Sequence, residues 1–371
     1  MLAQLATAAG YRVAAVDRFG DLDLRRLCGG RVCCEPPPRG GMAALVAAAE
    51  AMPAEAVVYG GGFENRPELV ARLGGGRRLL GNAPDAIRRA RDPAVLGGVL
   101  HAAGLAYPRT LAAAEATGSD RARAWLRKPL RSGGGRGIRR WDGAALGPGE
   151  VVQEQVPGLA CSVAAVGDGR SAVVLGLSEQ LVGERGFGGR GYSWCGNVVP
   201  PRLAAEERAL LWHDAEAICR RLVAALGLRG VFGVDMVWDG RQAWVIEVNP
   251  RPPGSLEALE LAGATGTFTA HVRAFDGALP RPRLEFRAPP RAAAKAILYA
   301  TANTVVPDTR GWLELGIRDI PHPGERIAAG RPVCTLLAVA QTPEEALEEC
   351  RRRAARLRSR LGRGVESHAF A

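Results

Sequence analysis

Residues 230–251 read GVFGVDMVWDGRQAWVIEVNPR, two apolar runs around an Asp-Gly pair, and they constrain the fold more than any other segment. Alternation along each run predicts a β-hairpin in which every second side chain lies on one face. Glu247 and Asn249 therefore share a face. A two-residue turn would leave Asp235 on the opposite face. We predict a loop of three or five residues centred on Arg241, which pairs Asp235 with Glu247.

The polar residues of this hairpin form a set of hard oxygen donors. Two carboxylates and a carboxamide suit Mg²⁺ or Mn²⁺ held together with nucleotide phosphates, so we predict Asp235, Glu247 and Asn249 as metal ligands. Arg251 follows Asn249 by two residues and is the predicted catalytic residue, because its guanidinium can clamp a phosphate or acyl-phosphate oxygen. The alternative is an amphipathic hairpin whose polar side chains face water.

A second motif, SGGGRG at residues 132–137, lies between two apolar runs. No glycine precedes either lysine of the chain, which excludes a P-loop, and the run after the glycines resembles a strand, which excludes a dinucleotide-binding loop. A hairpin loop that folds over phosphates fits best, because glycine lets backbone N–H groups approach an anion. Lys128 on the preceding strand can reach the α- and β-phosphates. The alternative is a flexible surface hairpin. The predicted phosphate-binding residues of the loop are Gly133, Gly134, Gly135, Arg136 and Gly137.

Lysine is scarce in this chain. Of 49 basic residues only Lys128 and Lys295 are lysine, so a retained lysine indicates a need for a compact ammonium on a flexible stem. The net charge of +11 is spread along the chain and aromatic residues make up 5%, so we expect no nucleic-acid partner. No run of 18 apolar residues predicts a membrane span, and no signal peptide is recognised, so the expected location is the cytoplasm.

Short apolar runs alternate with helical segments in the first 85 residues. Strands are predicted at residues 12–17, 56–59 and 78–80. This alternation indicates a parallel, doubly wound sheet. Residues 281–290 are rich in Pro and Arg and are predicted to be a linker. The final helix is predicted to begin at Thr342, because Thr-Pro-Glu-Glu places a capping residue before a proline and two acids.

Three motifs now stand in a fixed order: a lysine before a glycine loop, the run VVQEQV at residues 151–156, and an aspartate followed twelve residues later by Glu-x-Asn-x-Arg. In this order and spacing the chain resembles ligases of the ATP-grasp superfamily, in the branch of biotin carboxylase and its carboligase relatives. The resemblance implies an α/β fold, in part α+β, with an N-terminal pre-ATP-grasp Rossmann-like domain, an ATP-grasp domain and a small C-terminal closing domain.

The same resemblance implies the domain boundaries. They are 1–85 for the N-terminal domain, 86–280 for the ATP-grasp domain and 290–371 for the closing domain. Within the ATP-grasp domain, a small lid subdomain spans about 105–157 and a large subdomain about 158–280.

Roles carry over to matching positions. Lys128 and the glycine loop bind the phosphates of ATP, and a hinge binds adenine and ribose. The hinge residues are Gln153, Glu154, Gln155 and Val156. The loop at 183–197 is predicted to be a mobile substrate-side lid that carries Arg185 and Arg190, with a surface loop as the alternative. Relatives often have a second lysine near residue 92. Here Arg91 or Arg89 must substitute for it.

The activity implied is that of an ATP-dependent ligase. It activates a small-molecule carboxylate as an acyl-phosphate, with ATP converted to ADP and phosphate, and an amine then displaces the phosphate. A narrower expectation is a role in one-carbon cofactor biosynthesis of the methanofuran or pterin type. The alternatives are a carboxylase-type component that needs a separate biotin carrier, and an ATP-binding regulatory protein without turnover. A homodimer is expected from the carboxylase-like relatives.

Overall fold

A computed structural model describes residues 1–29, 31–34, 41–112, 115–116 and 124–366. Its N-terminal region alternates helices with short strands. β1 pairs with β2 and β3 with β4, both in parallel. Parallel pairing is therefore confirmed, but the strands form two separate two-stranded sheets rather than one wound sheet. The elements are α1 (Leu2–Ala8), β1 (Ala15–Asp17), α2 (Leu22–Leu27), β2 (Val32–Cys34), α3 (Gly41–Ala51), β3 (Ala56–Val57), α4 (Pro67–Gly74) and β4 (Arg78–Leu79).

Two helices lead from this region to a small antiparallel sheet. α5 (Pro84–Ala90) is followed by α6 (Pro93–His101), which begins after Asp92. The Asp92 carboxylate accepts hydrogen bonds from the backbone N–H groups of Ala94 and Val95 and caps the helix, while proline occupies the first helical position, where no N–H is needed. The sheet has the order β5-β8-β6-β7. Its strands are β5 (Thr110–Leu111), β6 (Trp125–Pro129), β7 (Arg139–Arg140) and β8 (Glu150–Glu154).

An eight-stranded antiparallel sheet forms the centre of the molecule. Its order is β13-β12-β9-β10-β11-β14-β18-β16, and β15 pairs separately with β17. Because β14 bonds to β11, the region after residue 290 extends the same sheet. The strands are β9 (Leu159–Asp168), β10 (Ala172–Val182), β11 (Trp194–Val199), β12 (Arg229–Trp238), β13 (Ala243–Asn249), β14 (Ala292–Tyr299), β15 (Thr304–Val305), β16 (Ile317–Arg318), β17 (Arg326–Ile327) and β18 (Pro332–Ala340).

Helices cover both faces of this sheet. Helix α7 (Ala205–Leu226) buries Leu211, Ile218 and Leu222 completely, whereas Leu210 on its outer face is 55% exposed. The predicted linker at 281–290 contains a short helix. None of the helices in the described part of the chain is long and apolar enough to cross a membrane. The helices are α7 (Ala205–Leu226), α8 (Leu256–Ala262), α9 (Thr267–Ala274), α10 (Leu284–Arg287) and α11 (Pro343–Glu366).

Candidate functional site

The hairpin of β12 and β13 has the predicted register, with Asp235 opposite Glu247 and Gly233 opposite Asn249. The predicted odd-length loop is wrong. Trp238 pairs with Ala243, so the loop contains four residues, and a β-bulge adds one residue to β13 between the loop and Glu247. A bulge shifts the pairing by one position and turns the following side chains to the other face. It thus restores the register that the loop alone would have lost.

Asp235 and Glu247 now face each other from paired strands. The Asp235 carboxylate accepts hydrogen bonds from Gln180 Nε2 at 2.8 Å and Asn249 Nδ2 at 3.1 Å. Burial, followed by the charge of Glu247, raises the pKa of Asp235 to about 7. A divalent cation would neutralise the repulsion between two carboxylates that face each other in this way. Carboxylate oxygens are also the donors that Mg²⁺ prefers. The residues therefore fit the predicted metal.

Asn249 is oriented differently from the prediction. Its carboxamide nitrogen faces Asp235, while its oxygen accepts a hydrogen bond from Arg251 Nη2 at 3.3 Å. Ligation through the oxygen would need a half-turn of the carboxamide. Within the described ranges no group of three or more His, Cys, Asp or Glu side chains is placed to hold a metal, so the candidate centre consists of two carboxylates beside one carboxamide.

Arg91, and not Arg89, reaches this centre. The Arg91 guanidinium forms an ion pair with Glu247, and its Nη2 donates to the carbonyl oxygens of Leu130 at 3.1 Å and Ser132 at 3.3 Å. Arg89 instead donates to the carbonyl of Ala225 on α7. Of the two candidates for the missing second lysine, only Arg91 connects the hairpin of β12 and β13 to the glycine loop.

The two lysines of the chain have different surroundings. Lys128 Nζ donates to Gln153 Oε1 at 2.7 Å, on the face of the small sheet that lies towards Glu247. Burial lowers the pKa of Lys128, although the charge of Glu247 opposes this shift. Lys295 lies elsewhere, in a buried ion pair with Glu257 on α8 at 2.8 Å. Only Lys128 faces the candidate site.

The glycine loop packs against the loop at 183–197. The carbonyl oxygen of Gly134 accepts a hydrogen bond from Trp194 N at 3.1 Å. Gly135 has φ +76° and lies so close to the backbone that a Cβ there would stand 1.8 Å from the Tyr192 carbonyl oxygen. Ser132 Oγ donates to the carbonyl of Arg136 at 2.6 Å and closes the base of the loop. The loop is thus held by its neighbours at Gly134 and Gly135, while Gly133, Gly134, Arg136 and Gly137 are exposed.

The predicted lid residues Arg185 and Arg190 both have exposed side chains. The carbonyl of Arg185 accepts a hydrogen bond from Arg358 of α11 at 3.4 Å. Arg190 is bonded through its backbone to Ser193 Oγ. From this loop, Tyr192 and Trp194 contact the glycine loop. The loop therefore joins the glycine loop to the C-terminal helix.

The predicted hinge begins where β8 ends. Gln153 Nε2 donates to Thr110 Oγ1 at 3.0 Å, and the backbone N–H of Gln155 donates to the carbonyl of Ala124 at 2.8 Å. Gln155 Oε1 is buried without a hydrogen-bond partner among the described residues. An orphaned acceptor at this position suits a donor from a ligand, such as an exocyclic amino group.

Two neighbouring cavities adjoin the hinge. The cavity between Lys128, Gln153 and Glu247 measures about 50 Å³. A larger one of about 700 Å³ is lined by Glu154 and Trp244 and shares Tyr107 and Thr110 with the smaller. Sites for small ligands usually measure about 300–1,000 Å³, so the smaller cavity must widen before a nucleotide can enter it.

Glu64 is a site residue that the sequence analysis missed. It lies in a single 3₁₀ turn, Phe63–Asn65, after β3, and its Oε1 accepts hydrogen bonds from Arg251 Nη2 at 2.8 Å and Nε at 3.1 Å. Burial raises the pKa of Glu64, but the charge and hydrogen bonds of Arg251, a backbone hydrogen bond and the charge of Arg91 together outweigh burial and lower the pKa below its usual range. One signal was available, because the glycine run at residues 60–62 follows a predicted parallel strand, and ligands bind beyond the carboxyl ends of such strands.

Comparison with known proteins identifies the central segment. Residues 94–255 match the ATP-grasp domain family. The chain contains an ATP-grasp domain. This stretch includes Lys128, the glycine loop and the hairpin of β12 and β13, whereas Arg91 and Glu64 precede it.

Curated relatives match part of the chain over part of their own length. Formate-dependent phosphoribosylglycinamide formyltransferase of Methylococcus capsulatus is 33% identical over 174 residues, which are 46% of this chain and 39% of that protein. The protein of the same name from Pasteurella multocida is 32% identical over 150 residues, covering 39% of this chain and 37% of its own length. The matches therefore span well under half of these relatives.

Solved structures share the fold over nearly the whole chain. The biotin carboxylase domain of 2-oxoglutarate carboxylase from Hydrogenobacter thermophilus aligns with a TM-score of 0.71 and 16% identity over 95% of this chain and 86% of that one. N5-carboxyaminoimidazole ribonucleotide synthetase from Thermus thermophilus gives 0.65 and 21%, over 96% and 95%. The expected α/β ATP-grasp fold is confirmed, and at these identities the likeness concerns the fold alone.

Proposed function

We propose that this protein is an ATP-dependent ligase, which activates a substrate carboxylate as an acyl-phosphate and transfers the acyl group to an amine. One observation carries the proposal. Lys128, Arg91, the pair of Asp235 and Glu247, and Arg251 come from separate parts of the chain and converge beside one glycine loop. Phosphoryl transfer needs cations that neutralise the phosphates and carboxylates that hold a metal ion. Lys128, Arg91 and Arg251 would supply the first, and the carboxylate pair the second.

The phosphate side of the site is served by Lys128, Arg91 and the glycine loop. Phosphoryl transfer involves little covalent chemistry by the protein, so neutralisation and alignment of the phosphates supply most of the catalysis. Lys128 is held by the neutral amide oxygen of Gln153, which leaves its positive charge for an anion. Arg91 donates to the carbonyl oxygens of Leu130 and Ser132, and its charge is paired with the Glu247 carboxylate. Arg91 would then exchange Glu247 for a phosphate oxygen.

Asp235 and Glu247 would hold the divalent cation. The raised pKa of Asp235, caused first by burial and then by the charge of Glu247, supports a cation between the two carboxylates. A bound Mg²⁺ would neutralise negative charge on the phosphates of the nucleotide. Gln180 and Asn249 orient Asp235 by donating one hydrogen bond to each of its oxygens.

The reaction has two displacements. First, an oxygen of the substrate carboxylate bonds to the γ-phosphorus while the bond from that phosphorus to ADP breaks. Next, the amine nitrogen bonds to the acyl carbon, the bond from that carbon to phosphate breaks, and the amine releases its proton. Arg251 would stabilise the negative charge on the acyl-phosphate and on the tetrahedral species that follows it.

Formate is the first acid to test, because the relatives' name describes a formate-dependent formyltransferase. A role in one-carbon cofactor biosynthesis, a cytoplasmic location and a homodimer remain predictions. One structural neighbour is described as a dimer bound to MgADP and bicarbonate, which motivates testing bicarbonate as a second acid.

The decisive experiment measures ADP release with formate, bicarbonate and short carboxylic acids, each with a panel of amines, with and without Mg²⁺. Hydroxylamine in place of the amine would trap an acyl-phosphate as a hydroxamate. We expect Mg²⁺-dependent ADP release that needs both an acid and an amine. Release with bicarbonate and biotin alone would favour the carboxylase alternative, and binding of MgATP without turnover would favour a regulatory protein. Absence of MgATP binding in calorimetry would overturn the whole proposal.

A further inference from the structure

Arg251 is almost fully engaged by the protein itself. Its guanidinium has five N–H donors. Four of them have acceptors among the described residues: two donate to Glu64 Oε1 at 3.1 and 2.8 Å, one to Asn249 Oδ1 at 3.3 Å and one to the carbonyl of Pro252 at 3.2 Å. One N–H on Nη1 has no acceptor among the described residues. The direction in which Arg251 can meet a ligand is therefore set by these partners.

Among these partners, Glu64 carries a negative charge and forms an ion pair with Arg251. Its side chain is 2% exposed and that of Arg251 is 17% exposed, so the ion pair is shielded from water. Glu64 is itself fixed, because its second oxygen accepts a hydrogen bond from the backbone N–H of Gly62 at 2.6 Å. The guanidinium also lies on the backbone of Gly61, where an added Cβ would stand 3.5 Å from Arg251 Cζ. The turn at residues 61–64 thus forms a cradle for the guanidinium.

The same turn reaches the glycine loop. Asn65 Nδ2 donates to the carbonyl of Ser132 at 3.4 Å, and Asn65 Oδ1 accepts from Arg91 at 3.4 Å. One short segment of the N-terminal region thus contacts both the residue proposed for acyl-phosphate stabilisation and the base of the phosphate loop. It lies outside the segment matched to the ATP-grasp domain, residues 94–255.

We propose that Glu64 is the positioning residue of Arg251, and that the N-terminal region completes the ligase site by aiming the remaining Nη1 donor at the transferred phosphate. This inference rests on the proposed function and adds a residue to it. A carboxylate that fixes the Nε edge of an arginine prevents the guanidinium from rotating, so less order must be created when an anion binds.

A competing explanation predicts the opposite change in anion affinity when the charge of Glu64 is removed. If Glu64 only masked Arg251, removal of its charge would free the guanidinium, and an anion would bind more tightly. If Glu64 positions Arg251, loss of its charge lets the guanidinium rotate and an anion binds more weakly. Inorganic phosphate, the product released beside MgADP, is a probe that needs no knowledge of the acid or the amine.

The test compares Glu64→Gln with Glu68→Gln in the intact chain. Glu68 is a matched control, because it lies four residues further on, is half exposed and forms an ion pair with Arg66 on the surface. Calorimetry would measure binding of MgADP and then binding of inorganic phosphate to the MgADP complex. For Glu64→Gln we expect an unchanged Kd for MgADP and a Kd for phosphate raised about tenfold, as for the loss of one charged hydrogen bond. Glu68→Gln should match the wild type in both.

Arg251→Lys and the double variant complete the design. Arg251→Lys should also weaken phosphate binding, and adding Glu64→Gln to it should have no further effect, because the two residues act as one unit. Tighter phosphate binding in Glu64→Gln, or a phosphate Kd equal to that of Glu68→Gln, would overturn the proposal. If Glu64→Gln does not fold, Glu64→Asp retains the charge but shortens the reach, and a wild-type phosphate Kd there would overturn it equally.

The outcome also separates this inference from the proposed function. A wild-type chain that binds neither MgATP nor MgADP would remove the ligase proposal and the role of Glu64 with it. A wild-type chain that binds both MgADP and phosphate, together with a Glu64→Gln variant that is indistinguishable from it, would remove only the role of Glu64.

Discussion

Three glycines of the loop at residues 132–137 differ in what an added Cβ would contact. Alanine substitutions at these three positions are therefore predicted to weaken MgATP binding to different degrees. Gly133 has an ordinary φ and nothing within 4 Å of the added Cβ. Gly134 has φ +62° and also open space, whereas Gly135 has φ +76° and the Tyr192 carbonyl oxygen at 1.8 Å. Alanine at Gly133 therefore tests the added methyl group alone. Alanine at Gly134 adds backbone strain, and alanine at Gly135 adds both backbone strain and a steric clash.

The magnitudes follow from these contacts. Gly133→Ala should change the free energy of the closed loop by less than about 0.5 kcal/mol. Gly134→Ala forces a left-handed conformation on an L-residue, which costs about 1–2 kcal/mol. Gly135→Ala adds the clash, because real Cβ contacts essentially never fall below 3.0 Å, so the Tyr192 oxygen must move by more than an ångström. The bond from Trp194 N to Gly134 O would then break, at about 1 kcal/mol more.

Calorimetric titration with MgATP is the assay, with thermal unfolding as the control for global stability. If the closed loop binds the phosphates, the Kd should be near wild type for Gly133→Ala, raised about tenfold for Gly134→Ala, and raised about 50-fold or more for Gly135→Ala. Tryptic cleavage after Arg136 should accelerate in the same order. Equal effects of the three variants, or a larger effect at Gly133, would refute the assignment of the loop to phosphate binding.

The other predictions concern the cations, the metal pair and the core. Lys128→Met should raise the Kd for MgATP at least tenfold, while Arg139→Met on the exposed strand β7 should leave it unchanged in the same titration. Glu247→Gln should abolish Mg²⁺-dependent ADP release while circular dichroism shows an intact fold, and full activity would remove the metal assignment. Leu222→Ala should lower the free energy of unfolding by about 2–5 kcal/mol in urea denaturation, because Leu222 is fully buried, whereas Leu210→Ala on the exposed face of the same helix should change it by less than about 1 kcal/mol.

Local patterns in the sequence predicted the elements and several details of the site. The alternation in residues 230–251 placed Glu247 and Asn249 on one face, and the predicted pairing of Asp235 with Glu247 is the register of the structure. The final helix begins as its sequence predicts, since Thr342 Oγ1 accepts a hydrogen bond from Glu345 N and Glu345 accepts one from Thr342 N. These features depend on residues close in the chain, so propensity and periodicity suffice to predict them.

The length of the loop between β12 and β13 could not be predicted from the sequence pattern. Alternation indicates which residues share a face but not how the register is achieved, and an odd loop and a four-residue loop with a bulge give the same pairing of Asp235 with Glu247. The choice depends on how the loop packs against its neighbours, which the pattern of apolar residues does not encode.

By itself, therefore, the sequence determined the order of the motifs, the strands and helices that carry them and the ATP-grasp fold. Only the tertiary structure decided that Arg91 rather than Arg89 faces Glu247, and that Glu64 holds Arg251 across 187 positions of the chain. Residues two apart at the end of a helix point to nearly opposite sides, and which side faces the site depends on how the helix packs. The glycine loop and the hairpin of β12 and β13 are recognisable from their own residues, but the contacts that connect them come from Arg91, Glu64 and Asn65, which lie far away in the chain.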